Sequence, residues 1–310
     1  VALLQEAVEL RQAGVRLPIL ALGAADCSDA DGFVEHEVTA AAATLAFARA
    51  LSAAATGQGK TACCHVKLDS GMGRQGVRPG EMAQFGRCLL ALPSLRVTGV
   101  FSHFADSASN DEFTRRQTEC FRHGAGVLEG LVTEAVGDGN GNAGGTPVAP
   151  GGGNGNAGET PVAPETHGGR RLLWHLANSG GVAFHPASWL DAVRPGGLSY
   201  GIPRYDRPCP IQARQVMALK SRVVTVKSLQ SGDSVGYDRT FVADRPTRTA
   251  VLPLGYADGY PRSVSGKAGV LVRGRRCPVL GRVSMDCIVI DVTDIEGCTE
   301  GEEVVLLGRQ

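Results

Sequence analysis

The sequence predicts an α/β region of repeated βα units over residues 1–207, followed by a mostly β domain over residues 208–310. Two observations carry this. Up to about residue 207, short apolar runs alternate with apolar residues at helical spacing, and beyond Pro208 the helical spacing gives way to β-rich runs separated by Gly and Asp. A third observation marks an interruption. Residues 139–150, GNGNAGGTPVAP, return as GNGNAGETPVAP at 153–164, so residues 137–169 read as a low-complexity surface insertion that cannot bury a core.

Taken in order, an opening helix over Leu3–Ala13 stops at Gly14. Six candidate strands follow at Leu17–Leu22, Phe33–Val38, Thr61–Asp69, Val97–Phe104, Leu172–Asn178 and Asp191–Tyr200. Helices are expected where Met82, Phe85, Leu89 and Leu92 recur, and where Phe113, Gln117, Cys120, Phe121, Leu128 and Leu131 do. In the second domain the β-rich runs are Val216–Leu229, Arg248–Gly255, Val270–Arg273, Pro278–Val283, Cys287–Val292 and Val304–Leu307. Six strands invite comparison with an eight-stranded barrel. Without the insertion, residues 1–207 fall about two βα units short of the roughly 250 residues of a full one. An open, doubly wound six-stranded sheet needs nothing more.

Composition narrows the function. Of 310 residues, 43% are apolar, enough for a large core. Lysines and arginines number 31, as do aspartates and glutamates, so no field of one sign argues for nucleic acid or a membrane surface. A small-molecule substrate is the default. The nine cysteines form no CxxC pair, which fits reduced thiols in a cytoplasmic protein and speaks against a metal cluster. No apolar run approaches the roughly 18 residues needed to span a bilayer. Val1 stands where an initiator Met is usual, so the chain reads as a fragment or processed product.

The expected strand ends are polar. His65, Lys67 and Asp69 alternate with Val66 and Leu68, placing three ionisable groups on one strand face before the turn SGMGR delivers Arg74. On the residues alone, Lys67 and Asp69 read as a buried ion pair. His103 ends the strand in GVFSHFA and is expected to face a barrel mouth. Asn178 and Ser179 in LANSGG suit either a phosphate cradle or a plain turn. Arg194 precedes Pro195, Gly196 and Gly197, where backbone N–H groups can approach an anion beside a guanidinium. Trp174, His175 and Tyr200 read as core or lining residues. In the second domain, Tyr256 precedes a DG turn, and Met285 and Asp286 head a strand.

The stretches VALLQEAVELRQAG, HVKLDSGMGRQGV, GVFSHFA with Gln117 and Phe121 behind it, LANSGG, VRPGGLSYG, LPLGYADGYPR and GRVSMDCIVIDV, in this order, resemble the alanine racemase family. The resemblance covers nearly all of the chain outside the repeat. It implies a TIM-type (β/α)8 barrel, N-terminally incomplete here, followed by a β domain that is also incomplete. It also implies pyridoxal 5'-phosphate as cofactor, a homodimer with shared active sites, and interconversion of L- and D-alanine by two bases, supplying D-alanine for peptidoglycan. By resemblance Tyr256 is the base and His103 its hydrogen-bonded partner. Arg194 contacts the pyridine nitrogen, Asn178, Ser179, Gly196 and Gly197 bind at or near the phosphate, Arg74 lies near the cofactor oxygen and the substrate carboxylate, Met285 contacts substrate, and Lys67 is the position carbamylated in many members, where it orients Arg74. The family's Schiff-base lysine lies on the first barrel strand, which is expected to precede Val1, so the activity implied is that of the complete protein. Serine or a broader set of small amino acids is the alternative within enzymes, since a methylene or hydroxyl is weakly discriminated. A pyridoxal-phosphate-binding barrel without turnover, or a pseudoenzyme, is the alternative outside them.

Overall fold

A computed structural model describes residues 1–137, 171–202 and 205–309, so the repeat insertion expected over 137–169 lies almost wholly outside the described residues. The chain divides into two compact units, Val1–Ser199 with Pro203–Gln212, and Tyr200–Ile202 with Ala213–Gln310.

In the first unit α1 (Leu4–Gln12) leads to β1 (Ile19–Ala21), α2 (Ala30–Glu35), β2 (Val38–Ala42), α3 (Leu45–Gly57), β3 (Ala62–Lys67), α4 (Met82–Leu90), β4 (Leu95–Phe101), α5 (Asp111–Gly137), β5 (Leu173–His175), α6 (Ser179–Phe184) and α7 (Gly196–Ser199). The five strands pair in parallel and in chain order, as consecutive βα units of a barrel do. The longer helices α3, α4 and α5 each bury apolar residues at helical spacing in the core. Thr44 caps α3 by accepting from the Phe47 amide, and Phe47, Ala48, Leu51 and Ala55 are buried beneath it. In α4, Met82, Phe85 and Leu89 do the same, and Gly86 lets Leu128 and Leu131 of α5 approach closely.

Two expected strands differ. Phe33 falls in α2, not in a strand, because Ala30, Phe33 and Val34 are buried at helical spacing, and an Asp26–Asp29 capping pair starts the turn that leads into the helix. Over Asp191–Tyr200 only Ala192 bridges to His175. Pro195 has no N–H for a ladder, and the residues after it coil into α7.

β3 is buried along nearly its full length, and its two faces divide the labour. Cys64, Val66 and Leu68 join the apolar core under the helices, while His65 and Lys67 occupy the opposite, inner face. Gly99 of β4 makes that possible, since a Cβ there would stand 2.7 Å from the His65 ring.

The second unit contains β6 (Leu219–Arg222), β7 (Thr225–Leu229), a small hairpin of β8 (Ser234–Val235) and β9 (Phe241–Val242), β10 (Thr247–Leu252), β11 (Gly269–Val272), β12 (Arg275–Leu280), β13 (Ile288–Asp291) and β14 (Glu303–Leu307). The larger sheet runs β6-β14-β11-β12-β13-β10-β7, antiparallel throughout. Its two ends belong to one continuous segment. The Val223 amide donates to Glu302 O and the next amide, Val224, to Val251 O, so adjacent residues bond to opposite sides and the sheet closes into a ring. The ring encloses its own core of Val223, Leu252, Val272, Val279, Ile288, Ile290 and Val304.

Candidate active site

At the C-terminal ends of the parallel strands, a donor-only group sets a chain of hydrogen bonds. Arg194 Nη1 donates to His175 Nδ1 at 2.5 Å, and His175 Nε2 lies 2.8 Å from His65 Nδ1. A guanidinium has no acceptor, so His175 Nδ1 must be unprotonated, its proton sits on Nε2, and that proton points at His65 Nδ1. Both imidazoles are held neutral. Burial, and then the charge of Arg194, lower His65 to about 4 and push His175 well below the ordinary histidine range. Arg194 Nη2 donates to Ser102 O and Leu176 O, and its backbone amide donates to Ala177 O, which fixes the arginine from two segments, residue 102 after β4 and residues 175–177 at the end of β5.

Phe101 forms an aromatic floor between the cations. Its ring stacks on His175 at 4.8 Å, with Lys67 Nζ 4.4 Å from its centroid and Arg194 Cζ 5.4 Å away. Lys67 is 3% exposed, and burial, then Arg194 and Arg74, lower its ammonium to about 7. His103 is lowered to about 4 by partial burial and then by Arg194, Lys67 and Arg74, so these four residues share one electrostatic neighbourhood.

The expected Lys67–Asp69 ion pair does not form. Asp69 Oδ1 accepts from the amides of Gly71, Met72 and Gly73, and so shapes the turn that carries the exposed Arg74. Downstream, Asn178 caps α6 by accepting from the Gly181 amide and the Ser107 hydroxyl. Ser179 Oγ donates to Pro195 O and accepts from the Leu198 amide, which places it beside exposed Gly196 and Gly197. A cavity of about 290 Å³ opens beside the Arg194–His175–His65 chain, which lines it together with Val1, Leu20, Leu22, Leu173 and Ala192.

Tyr256 and Met285 belong to the second unit, where they adjoin each other. The Tyr256 amide donates to Ser284 O and the Ala257 amide to Met285 O. Gly255 is required there, because a Cβ would come within 2.4 Å of the Met285 backbone. Both side chains are solvent-exposed, Tyr256 by 43% and Met285 by 58%. Tyr200, expected in the core or lining, is exposed as well. His175 is the residue that sequence reasoning undervalued, since its importance comes from Arg194, nineteen positions away. Its parity was the available signal, because His175 and Ala177 share one face of the strand. Among the described residues no His, Cys, Asp or Glu group has the arrangement of a metal site, and all nine cysteines are free.

The N-terminal domain model of alanine racemases matches residues 1–140, and the C-terminal domain model matches residues 216–310. The chain belongs to the alanine racemase family. It is 38% identical to the alanine racemase of Syntrophobacter fumaroxidans over 308 residues, 98% of this chain and 72% of that protein. It is 36% identical to alanine racemase 2 of Caldanaerobacter subterraneus subsp. tengcongensis, covering 100% of this chain and 71% of that one. Among solved structures, the Bacillus anthracis alanine racemase with bound L-Ala-P superposes with a TM-score of 0.80 at 28% identity, over 100% of this chain and 71% of that chain. The Bartonella henselae alanine racemase, with covalently bound pyridoxal phosphate, shares the fold with a TM-score of 0.77 at 22% identity, over 99% of this chain and 75% of that chain. The first unit is thus part of a (β/α) barrel, and the family's activity is that of an isomerase, racemisation of alanine.

Proposed function

We propose that the cluster around Arg194 holds pyridoxal phosphate and that Tyr256 and His103 move the substrate proton. The carrying observation is the chain Arg194–His175–His65, which spends two buried histidines on aiming one part-buried guanidinium. The residues present fit such a cofactor. Arg194 can only donate, so beside a pyridine nitrogen it would leave that nitrogen unprotonated. Ser179 with the exposed backbone of Gly196 and Gly197, and Asn178 beside them, would hold a phosphate. Pyridoxal phosphate, when bound, supplies the electron withdrawal that makes an amino acid's α-proton removable.

Racemisation needs a base on each face of the α-carbon. The Tyr256 phenol serves one face, and a neutral His103 offers an unprotonated ring nitrogen to accept the phenolic hydrogen. Arg74, cationic and exposed at the tip of its turn, receives the substrate carboxylate, with Met285 against the substrate. Lys67 stands among Arg74, Arg194 and His103, while Asp69, the one carboxylate it feels, turns an oxygen to backbone amides, so the cations outweigh the anion around it. An amine with a pKa near 7 has a large unprotonated fraction. Its nitrogen attacks carbon dioxide, one C=O π pair moves to oxygen, and a proton leaves to solvent, giving a carbamate that faces Arg74. Completing the site with Tyr256 of a second copy, in a cytoplasmic homodimer that supplies D-alanine to the cell wall, belongs to the same reading.

The test is racemisation of L-alanine by protein from the complete reading frame loaded with pyridoxal phosphate. Tyr256→Phe is expected to abolish conversion while cofactor absorbance remains. Retention of wild-type turnover by Tyr256→Phe would overturn the assignment. Serine assayed beside alanine separates narrow from broad specificity.

A further inference from the structure

Gln117 is 1% exposed, lies on α5, and does not line the cavity. Its amide nevertheless bonds to both loops that carry the site. Oε1 accepts from the Ala105 amide at 3.0 Å, while Nε2 donates to His103 O at 3.3 Å and, at the long end, to Ser70 Oγ at 3.5 Å. Ser70 Oγ lies 2.8 Å from Ser102 Oγ, and Ser102 Oγ accepts from the Ser70 amide at 3.3 Å. Ser70 opens the turn that ends in Arg74, and Ser102 immediately precedes His103 and offers its carbonyl to Arg194.

We propose that Gln117 is the positioning residue that fixes His103 and the Arg74 turn in one register, by clamping residues 103 and 105 on one side and Ser70 on the other. The proposal rests on the roles given above to His103 and Arg74. Only an amide meets the demand. It must accept from one backbone N–H and donate to a backbone carbonyl two residues earlier, with a second N–H left for a hydroxyl. A carboxylate supplies the acceptor and neither donor, and turns an oxygen toward the His103 carbonyl. An aliphatic side chain supplies none of the three and leaves buried backbone groups unpaired. The neighbours leave little slack, since a Cβ on Gly71 would touch Phe113 at 3.3 Å and Gln117 at 3.4 Å.

The experiment uses the cofactor-loaded enzyme from the complete reading frame, with Gln117→Glu and Gln117→Leu measured beside His103→Asn, Tyr256→Phe and the double variant Gln117→Glu/His103→Asn. The near-isosteric Gln117→Glu keeps the question answerable if Gln117→Leu fails to fold. Both single Gln117 variants are expected to lose kcat/KM by about 10- to 100-fold, the cost of misplacing reacting groups by a fraction of an ångström to one ångström. Part of the loss should appear in kcat through His103 and part in a raised KM for alanine through Arg74, with cofactor absorbance unchanged. In the His103→Asn background the kcat loss from Gln117→Glu should largely vanish. If folded Gln117→Glu keeps kcat and KM within twofold of wild type, or if its loss is undiminished without His103, the positioning role is overturned. Should Tyr256→Phe and His103→Asn both remain fully active, the assignment of the site itself fails instead.

Discussion

His65, His103 and His175 together make the site a store of neutral imidazole, and this sets an acid limit on the fold. His65 and His103 are lowered to about 4 in the folded chain against 6.5 otherwise. Between those values the unfolded chain binds more protons, so stability rises with pH across the window and is lost as pH falls from about 6.5 to 4. Urea titrations at several pH values in this window should show that slope, and His65→Gln should reduce it. His175 gives a second prediction. Replacement by Leu removes the acceptor from a part-buried guanidinium and is expected to cost about 1–3 kcal/mol, read from the shift in the urea midpoint. At this scale the sequence was informative where chemistry is local. The alternation of His65 and Lys67 with Val66 and Leu68 shows directly which side chains share a face. It misled where local partners compete, as at Asp69, which looked like the mate of Lys67 when three following amides claim it instead, and it was silent where partners come from afar, as Arg194 does to His175.

Elements were legible where their apolar spacing is unambiguous, as in α4 and α5. They were misjudged where a short apolar pair fits two periods, as at Phe33 and Val34, or where one apolar run serves two purposes. Val216–Leu229 looks like one strand and is one extended segment, but its halves β6 and β7 pair with different neighbours, a distinction set by the closure of the sheet. A long-range tie of another kind joins α5 to β5. Glu129 accepts from the Leu172 amide at 3.2 Å, from the Arg171 amide at 2.5 Å and from Trp174 Nε1 at 3.2 Å. One carboxylate thereby organises the first residues of the strand. Glu129→Ala is expected to lower stability by about 2 kcal/mol, the range for hydrogen bonds to a charged group, whereas Glu134→Ala on the exposed face of α5 should be neutral in the same denaturant titration.

For the whole molecule, the two units carry separate apolar cores, one under the parallel sheet and one inside the antiparallel ring. The sequence separated these regions by their change of periodicity, yet its strand count alone admitted a barrel or a doubly wound sheet, because the order of strands in a sheet leaves no mark on any single strand, and it was the resemblance to alanine racemases that pointed to the barrel. Residues 213–310 made alone should unfold in one cooperative transition by circular dichroism, since all strands of the ring lie within them. A gradual, non-cooperative loss of signal would show that this core needs the rest of the chain.

The switch of bonding at Val223 and Val224 has an outward consequence. Each half of that segment ladders on one flank only among the described residues, β6 with β14 and β7 with β10, so the opposite flank of each is where a further strand could add to the sheet. A partner can therefore be met by backbone along that segment as well as by side chains elsewhere on the unit, where the exposed Tyr256 and Met285 stand ready.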